Sequence, residues 1–265
     1  MIDSTYDSLR TDGFGSLDID SLMNNDEEIL VKISIKEFLT KNFNITLDDI
    51  GNTVKIDLVH GYYIVNSRLK DIVVTNTSID LLTNGLFKWG EVHYFICNNC
   101  KNLTTLEGTP LVCKRFFCEN CKNLTSLKGA PKKCKYFCCG NCENLTSLKG
   151  APKNCNVFIC DECENLTSLE GAPEKCKYFY CDDCNSLKSL KYAPIECVDF
   201  SCRRTNIIDL EGLPDNLETL VCSECDNLIS LKGCPKELKY LYALYCRNLT
   251  DKKYLPTNTK LSERN

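Results

Sequence analysis

Residues 118–160 read CENCKNLTSLKGAPKKCKYFCCGNCENLTSLKGAPKNCNVFIC, and the phrase NLTSLKGAP occurs in them twice, 21 residues apart. A third copy, NLTSLEGAP, follows at 165–173. The prolines keep the same spacing, with one interval of 20 residues: Pro110, Pro131, Pro152, Pro173, Pro194, Pro214, Pro235 and Pro256. A fixed period of this size predicts a solenoid, because it is too short for a propeller blade or a pair of helices.

Aligning the chain on this period produces columns of apolar residues. The phenylalanine column contains Phe95, Phe116, Phe137, Phe158, Phe179, Phe200, Leu220 and Leu241. The first cysteine column contains Cys97, Cys118, Cys139, Cys160, Cys181, Cys202, Cys222 and Ala243. The second cysteine column contains Cys100, Cys121, Cys142, Cys163, Cys184, Thr205, Cys225 and Cys246. We expect the phenylalanine and first cysteine columns to point into a core, since one unit alone could not bury its apolar face.

These columns spell L-x-x-L-x-L-x-x-C-x-x-L, with Cys or Phe replacing several leucines, which resembles the cysteine form of the leucine-rich-repeat consensus. The sixth unit, from Cys197 to Ile207, is one residue shorter and has Thr205 in the turn position. More narrowly, the LTSLxGAP string is similar to repeat arrays in giant DNA viruses, phages and bacteria. The resemblance implies a viral protein of the host cytoplasm that binds other proteins and catalyses nothing.

The fold class that follows is mainly β. Each unit contributes one short strand to a parallel sheet on the concave face of the solenoid, with neighbouring strands about 4.8 Å apart. Only six residues, Lys149 to Asn154, separate Leu148 from the next strand, which is too few for a helix of several turns. Glycine and proline in this connection favour an extended convex side.

The chain divides into four parts on this reading. Residues 92–251 form the solenoid, and residues 252–265 form a C-terminal tail. Residues 28–91 form a small α+β cap with a degenerate first repeat, a short helix over 33–43 and strands near Val54–Val59 and Tyr62–Val65. Residues 1–27 are polar and acidic with little periodicity, so we predict that they are disordered.

The 21 cysteines admit three interpretations. Reduced thiols can line the core as small apolar side chains, which is the interpretation we favour. The repeated CxxC pairs are also typical of zinc sites, although the repeat already imposes their spacing and only His60 and His93 could assist. Disulfides or redox chemistry are the third possibility. We therefore predict no metal ligands and no cofactor.

Strand positions that do not point inward form the predicted binding face. It is unusually aromatic and contains Tyr94, Ile96, Arg115, Phe117, Tyr136, Val157, Ile159, Tyr178, Tyr180, Tyr240 and Tyr242. Tyrosine is enriched at recognition surfaces because it combines a large rigid ring with a polar tip. An acidic block at the adjoining turns, Asp161, Glu162, Asp182 and Asp183, would contact a basic segment of the partner. Alternatively, these charges keep the solenoid soluble and the aromatic residues simply favour strands.

No catalytic constellation is present in the sequence, because it contains neither a phosphate-binding loop nor a histidine placed to activate a nucleophile. The net charge of -4 argues against a nucleic-acid partner, and no apolar stretch reaches the roughly 20 residues needed to cross a membrane. The sequence begins without a signal-peptide pattern, so we expect a cytoplasmic protein with unmodified Asn-Leu-Thr sequons. We predict a module that binds a protein partner. The alternatives are an assembly component that self-associates, for example within a virion, and a zinc- or redox-responsive protein.

Overall fold

A computed structural model describes residues 92–101 and 103–264, together with the backbone of four short upstream strands. The strands in chain order are β1 (Val54–Asp57), β2 (Tyr62–Val65), β3 (Asp71–Val73), β4 (Phe87–Trp89), β5 (Val92–Ile96), β6 (Cys113–Phe117), β7 (Tyr136–Cys138), β8 (Asn154–Ile159), β9 (Lys175–Tyr180), β10 (Asp199–Ser201), β11 (Thr219–Val221), β12 (Tyr240–Tyr242) and β13 (Lys260–Ser262). The described residues contain no helix. The prediction of a mainly β protein is confirmed for this part of the chain.

The central feature is a parallel β-solenoid of about eight turns. Ten strands form one sheet in the order β13-β12-β11-β10-β9-β8-β7-β6-β5-β3. Residues one period apart stand opposite each other, as Phe116 does to Phe137 and Phe158 to Phe179. The shorter unit keeps this register, because Phe200 pairs with Leu220. The parallel stacking that the 21-residue period predicts is therefore confirmed.

The sheet extends beyond residues 92–251 at both ends. At the C-terminal end, β13 pairs with β12 inside the segment that the sequence assigns to a tail. At the other end β3 pairs with β5, so that Ile72 stands opposite Phe95 in the phenylalanine column. Strands β1, β2 and β4 form a separate three-stranded sheet. The predicted helix over 33–43 and the predicted disorder of 1–27 lie outside the described residues.

A continuous row of aromatic rings forms the centre of the solenoid. Phe95, Phe116, Phe137, Phe158, Phe179 and Phe200 are completely buried. Their ring centroids are 5.1–5.4 Å apart, and adjacent ring planes differ by 3–16°. The strand spacing sets this distance, since each strand places one ring above the next. The prediction that this column and the first cysteine column point inward is confirmed.

Every coil except the last contains two backbone positions with positive φ. One is the residue before the second cysteine, as at Asn120 and Asn141, where φ is 57° and 54°. The other is the glycine of the LKGAP phrase, where Gly150 has φ 96°. A Cβ atom on Gly150 would lie only 2.5 Å from the Lys128 backbone nitrogen of the preceding coil. Glycine is therefore needed there both for its backbone angle and for the close approach of two coils.

Candidate functional site

The outward face of the ten-stranded sheet carries the residues that the sequence predicts for partner binding. Two positions in each strand point outward, so the face consists of two parallel columns. Tyr94, Arg115, Tyr136, Val157, Tyr178 and Tyr240 belong to the first column, and Ile96, Phe117, Ile159, Tyr180 and Tyr242 belong to the second. The register of β5 to β12 therefore brings these eleven predicted residues onto one continuous surface.

The first half of this face is filled by its own side chains. The Arg115 guanidinium lies 5.3 Å from the centre of the Tyr94 ring and 5.9 Å from that of Tyr136. The Phe117 ring packs against Tyr136 at 5.3 Å. Tyr136, Cys138 and Ile159 are buried, although they point away from the core. Neighbouring strands are so close that a small side chain such as that of Cys138 is covered by larger neighbours.

The second half of the face exposes more aromatic surface that a partner could contact. Tyr178 and Tyr240 are its most exposed aromatic residues, with 39% and 40% of their surface accessible. Three strand spacings separate them, which is about 14 Å. The strands between them, β10 and β11, present the shorter side chains of Asp199, Thr219 and Val221. The two exposed rings are therefore separated by a stretch of shorter side chains on β10 and β11, which we call the recess.

The predicted acidic block is largely engaged within the chain. Asp161 and Asp182 are buried, with 2% and 8% exposure. Asp161 accepts a hydrogen bond from the Asp182 backbone N–H at 2.9 Å. Asp182 accepts hydrogen bonds from the Ser201 hydroxyl at 2.6 Å and from the Arg203 backbone N–H at 2.8 Å. Each carboxylate thus links one coil to the next, and burial raises the pKa of both.

The other two acidic residues differ in their surroundings. Asp183 pairs with Arg204 of the next coil, at 2.7 Å between Oδ2 and Nη2. Glu162 is exposed, and no cation among the described residues pairs with it. Of the four predicted acidic residues, Glu162 therefore presents the most available carboxylate to solvent. The predicted role of this block in partner binding stays a prediction.

Asp199 lies on β10, between the two exposed tyrosines, and its pKa provides a test of burial on this face. Burial raises the pKa of Asp199 from 3.8 to about 6. Because the folded state favours the protonated form, this group's contribution to stability is fully present below about pH 4 and is lost as the pH rises to about 6. We expect Asp199→Asn to be more stable than wild type at pH 7, on the order of 1 kcal/mol after allowance for partial solvent screening, and to lose this advantage at pH 4.

Thermal unfolding at the two pH values measures this difference. Asp161 and Asp182 are present in both proteins, so their own titration cancels in the comparison. Asp226→Asn, which makes the same substitution at an exposed turn, serves as the control for the loss of one carboxylate. An Asp199→Asn protein that is less stable than wild type at pH 7 would show that the ionised carboxylate makes a favourable contact.

The cysteines form hydrogen-bonded columns inside the solenoid. From Cys121 onward, each second-column thiol donates to the carbonyl oxygen of a first-column cysteine in the preceding coil, for example Cys142 to Cys118 at 3.2 Å and Cys184 to Cys160 at 3.2 Å. In the short unit the Thr205 hydroxyl instead donates to the Cys202 carbonyl of its own coil, at 2.8 Å. Burial raises the pKa of first-column thiols such as Cys160 and Cys181, which keeps them protonated.

All 21 cysteines are free thiols, and the described residues contain no group of three or more side chains placed to hold a metal ion.

Thiol reactivity should follow this arrangement. Only Cys155 and Cys234 are partly exposed, and the other cysteines are buried. We expect a thiol reagent to modify two cysteines in a first phase and the rest only as the protein unfolds, because buried thiols react through opening. The double variant Cys155→Ser/Cys234→Ser should lack the first phase. A first phase larger than two thiols in the native protein would contradict the assignment.

The sequence interpretation missed a group of lysines at the edge where the strands begin. Lys114, Lys132, Lys133, Lys135 and Lys177, which we call the lysine cluster, are all exposed. The Lys114 ammonium lies 2.8 Å from the His93 ring nitrogen. The alignment of the repeats could have revealed the cluster, since Lys114, Lys135 and Lys177 occupy one column.

The described residues therefore define a cysteine-rich parallel β-solenoid with an aromatic outward sheet face. Comparison with known proteins finds no family model and no curated protein that matches this chain. Among the described residues, none belongs to a helix with the length and apolar character needed to span a bilayer.

Proposed function

We propose that this protein is a non-catalytic leucine-rich-repeat module that binds a protein partner on the outward face of its sheet. The observation that carries the proposal is the pair of exposed rings, Tyr178 and Tyr240, on either side of the recess. Aromatic anchors that enter or flank pockets are the residues that contribute most to protein interfaces. Because the sheet is rigid, binding would cost little ordering of the backbone.

The assignment to the leucine-rich-repeat class rests on the repeat consensus and on the second cysteine column. That column occupies the consensus Asn/Cys position, and its thiols donate to backbone carbonyls of neighbouring coils. These bonds need the S–H form, which supports a reducing compartment such as the cytoplasm. A viral source, with the host cytoplasm as its location, is proposed from the LTSLxGAP resemblance alone.

Within this proposal the partner carries side chains that fit between the two tyrosines. Arg115, Phe117 and Tyr136 would support the partner from the packed half of the face. A basic residue of the partner would approach Glu162, which is exposed at the turn after β8. Asp161 and Asp182 would contribute by fixing the turns rather than by direct contact, because both are buried.

The experiment compares affinity purification from native cells with three baits. They are the wild type, the face variant Tyr178→Glu/Tyr240→Glu, and a control variant, Tyr192→Glu/Tyr254→Glu, which changes two exposed tyrosines at turns. A protein recovered with wild type and control but lost with the face variant is then purified and titrated. We expect the face variant to weaken its binding at least tenfold, equivalent to about 1.4 kcal/mol. Equal binding to all three baits would reject the face.

Self-assembly is the second candidate, favoured by one observation. Strand β13 has no neighbour on its outer side among the described residues, so its backbone could pair with a strand of another copy. Sedimentation velocity over a range of concentrations tests this function. A monomer at all concentrations would leave partner binding as the better account, whereas growth that is abolished by proline at Leu261 would favour assembly.

A further inference from the structure

The lysine cluster departs from the most common charge arrangement of the solenoid, as do the exposed lysines Lys101, Lys188 and Lys191 outside it. Elsewhere eight lysines pair with a carboxylate one coil away, for example Lys149 with Glu170 and Lys232 with Glu211. None of the five cluster lysines has an acidic partner among the described residues. Lys114 and Lys135 lie in adjacent coils, joined by a hydrogen bond between their backbones. Like charges on neighbouring strands destabilise a sheet, so the cluster lowers stability unless an anionic group covers it.

The sequence of this chain contains a segment of opposite charge. Residues 1–28 contain eight aspartates and glutamates and a single arginine. The remaining residues contain 28 acidic and 31 basic side chains, so the chain is divided into an acidic segment and a weakly basic body. Such a division of charge indicates that the two parts attract each other.

We propose that residues 1–28 bind the lysine cluster of the same chain. Each contact would be an exposed ion pair and individually weak. Attachment to the same chain raises the effective concentration of the segment, so that several weak pairs suffice. The cluster borders Arg115 and Tyr136 in the sequence, so the bound segment would lie next to that end of the sheet face.

The extent of the cluster favours a short acidic segment over a nucleic acid. Next to the cluster, Lys153 and Lys175 are already paired with Glu174 and Glu196. At this edge, the described lysines without a carboxylate partner are thus confined to a short stretch of the solenoid, from Lys114 to Lys177. Nucleic acid binding normally uses a longer path of cations that follows successive phosphates.

The test is zero-length carbodiimide cross-linking of the full-length protein, analysed by mass spectrometry. We expect cross-links from the carboxylates of residues 1–28 to Lys132, Lys133 and Lys135 at low salt. They should be lost at about 1 M salt, where the screening length falls to about 3 Å. An equal mixture of isotopically heavy and light protein distinguishes contacts within one chain from contacts between copies. Cross-links that join heavy to light copies would overturn the proposal in favour of a second copy.

Two charge variants complete the test. Lys132→Glu/Lys133→Glu/Lys135→Glu should lose the cross-links to Lys114 and Lys177 as well, at least fivefold in yield. Lys101→Glu/Lys188→Glu/Lys191→Glu changes exposed lysines outside the cluster and should leave them unchanged. Thermal unfolding verifies that both variants are folded. Cross-links distributed equally over paired and unpaired lysines would overturn the proposal, as would their displacement from the cluster by a short single-stranded oligonucleotide added in equimolar amount.

Discussion

Replacing Phe137 with alanine is expected to reduce the free energy of unfolding by about 3–5 kcal/mol. Phe137 is completely buried, and its ring lies 5.2 Å from both the Phe116 and the Phe158 rings. The substitution removes both stacking contacts and leaves a cavity between two coils. Neither coil can close the cavity, because the hydrogen-bonded strands fix their spacing.

Phe137→Leu is the matched control, since leucine occupies the same column at Leu220 and Leu241. We expect it to cost about 1 kcal/mol, because most of the volume is kept. Urea unfolding followed by circular dichroism measures both variants. Each coil contacts mainly its two neighbours, so the alanine variant should also separate unfolding into two transitions, one on each side of the weakened coil. A loss below 1 kcal/mol, equal for Ala and Leu, would show that the phenylalanine row is not a main source of stability.

The repeat itself explains why so much of the core could be predicted from the sequence. A period of 21 residues with a parallel register places identical positions above one another, so the columns are also the buried rows. The shorter sixth unit tests this reasoning, because Thr205 is as deeply buried as the cysteines in its column. Periodicity determines which residues face inward and requires no knowledge of long-range contacts.

The outward face was harder to predict because its burial depends on neighbours in three strands. Cys138 points away from the core, yet it is buried in a cluster with Tyr136 and Ile159, against which Phe117 and Tyr180 pack. Asp161 is buried for a related reason, since its carboxylate bonds to the turn of the next coil. Alternation along β7 assigns Cys138 to the surface, and a turn position does the same for Asp161. Only the side chains and backbone of adjacent coils reveal that both residues are covered.

The turn conformations show a further limit of sequence reasoning. The position before the second cysteine has positive φ in every coil, but it contains asparagine only in the first three. Glu162, Asp183, Arg204, Glu224 and Tyr245 occupy it in the later coils. Residue preference alone would not identify a left-handed conformation at these positions. The repeat imposes the left-handed conformation at this position. The next residue is the second-column residue, and its side chain must reach the backbone of the preceding coil.

The second large effect is expected for Gly150→Ala, which should reduce the free energy of unfolding by about 2–5 kcal/mol. The new Cβ would lie 2.5 Å from the Lys128 nitrogen and 2.6 Å from the Leu127 carbonyl carbon. Both are backbone atoms, so two hydrogen-bonded coils would have to separate. The same column contains Tyr192 at φ 73°, so the backbone angle alone is not prohibitive. The larger part of the cost therefore comes from the overlap.

Gly140→Ala is the matched control within the same sequence phrase. Its Cβ would lie 3.3 Å from the Asp161 carbonyl oxygen, and other coils carry Glu119, Asp161 or Asp182 at this position. We expect Gly140→Ala to change stability by less than about 1 kcal/mol. Urea unfolding measures the loss in free energy of unfolding for both variants. Equal small losses would mean that adjacent coils can separate by several tenths of an ångström, and the close approach at the LKGAP turn would then be a consequence of glycine rather than a requirement for it.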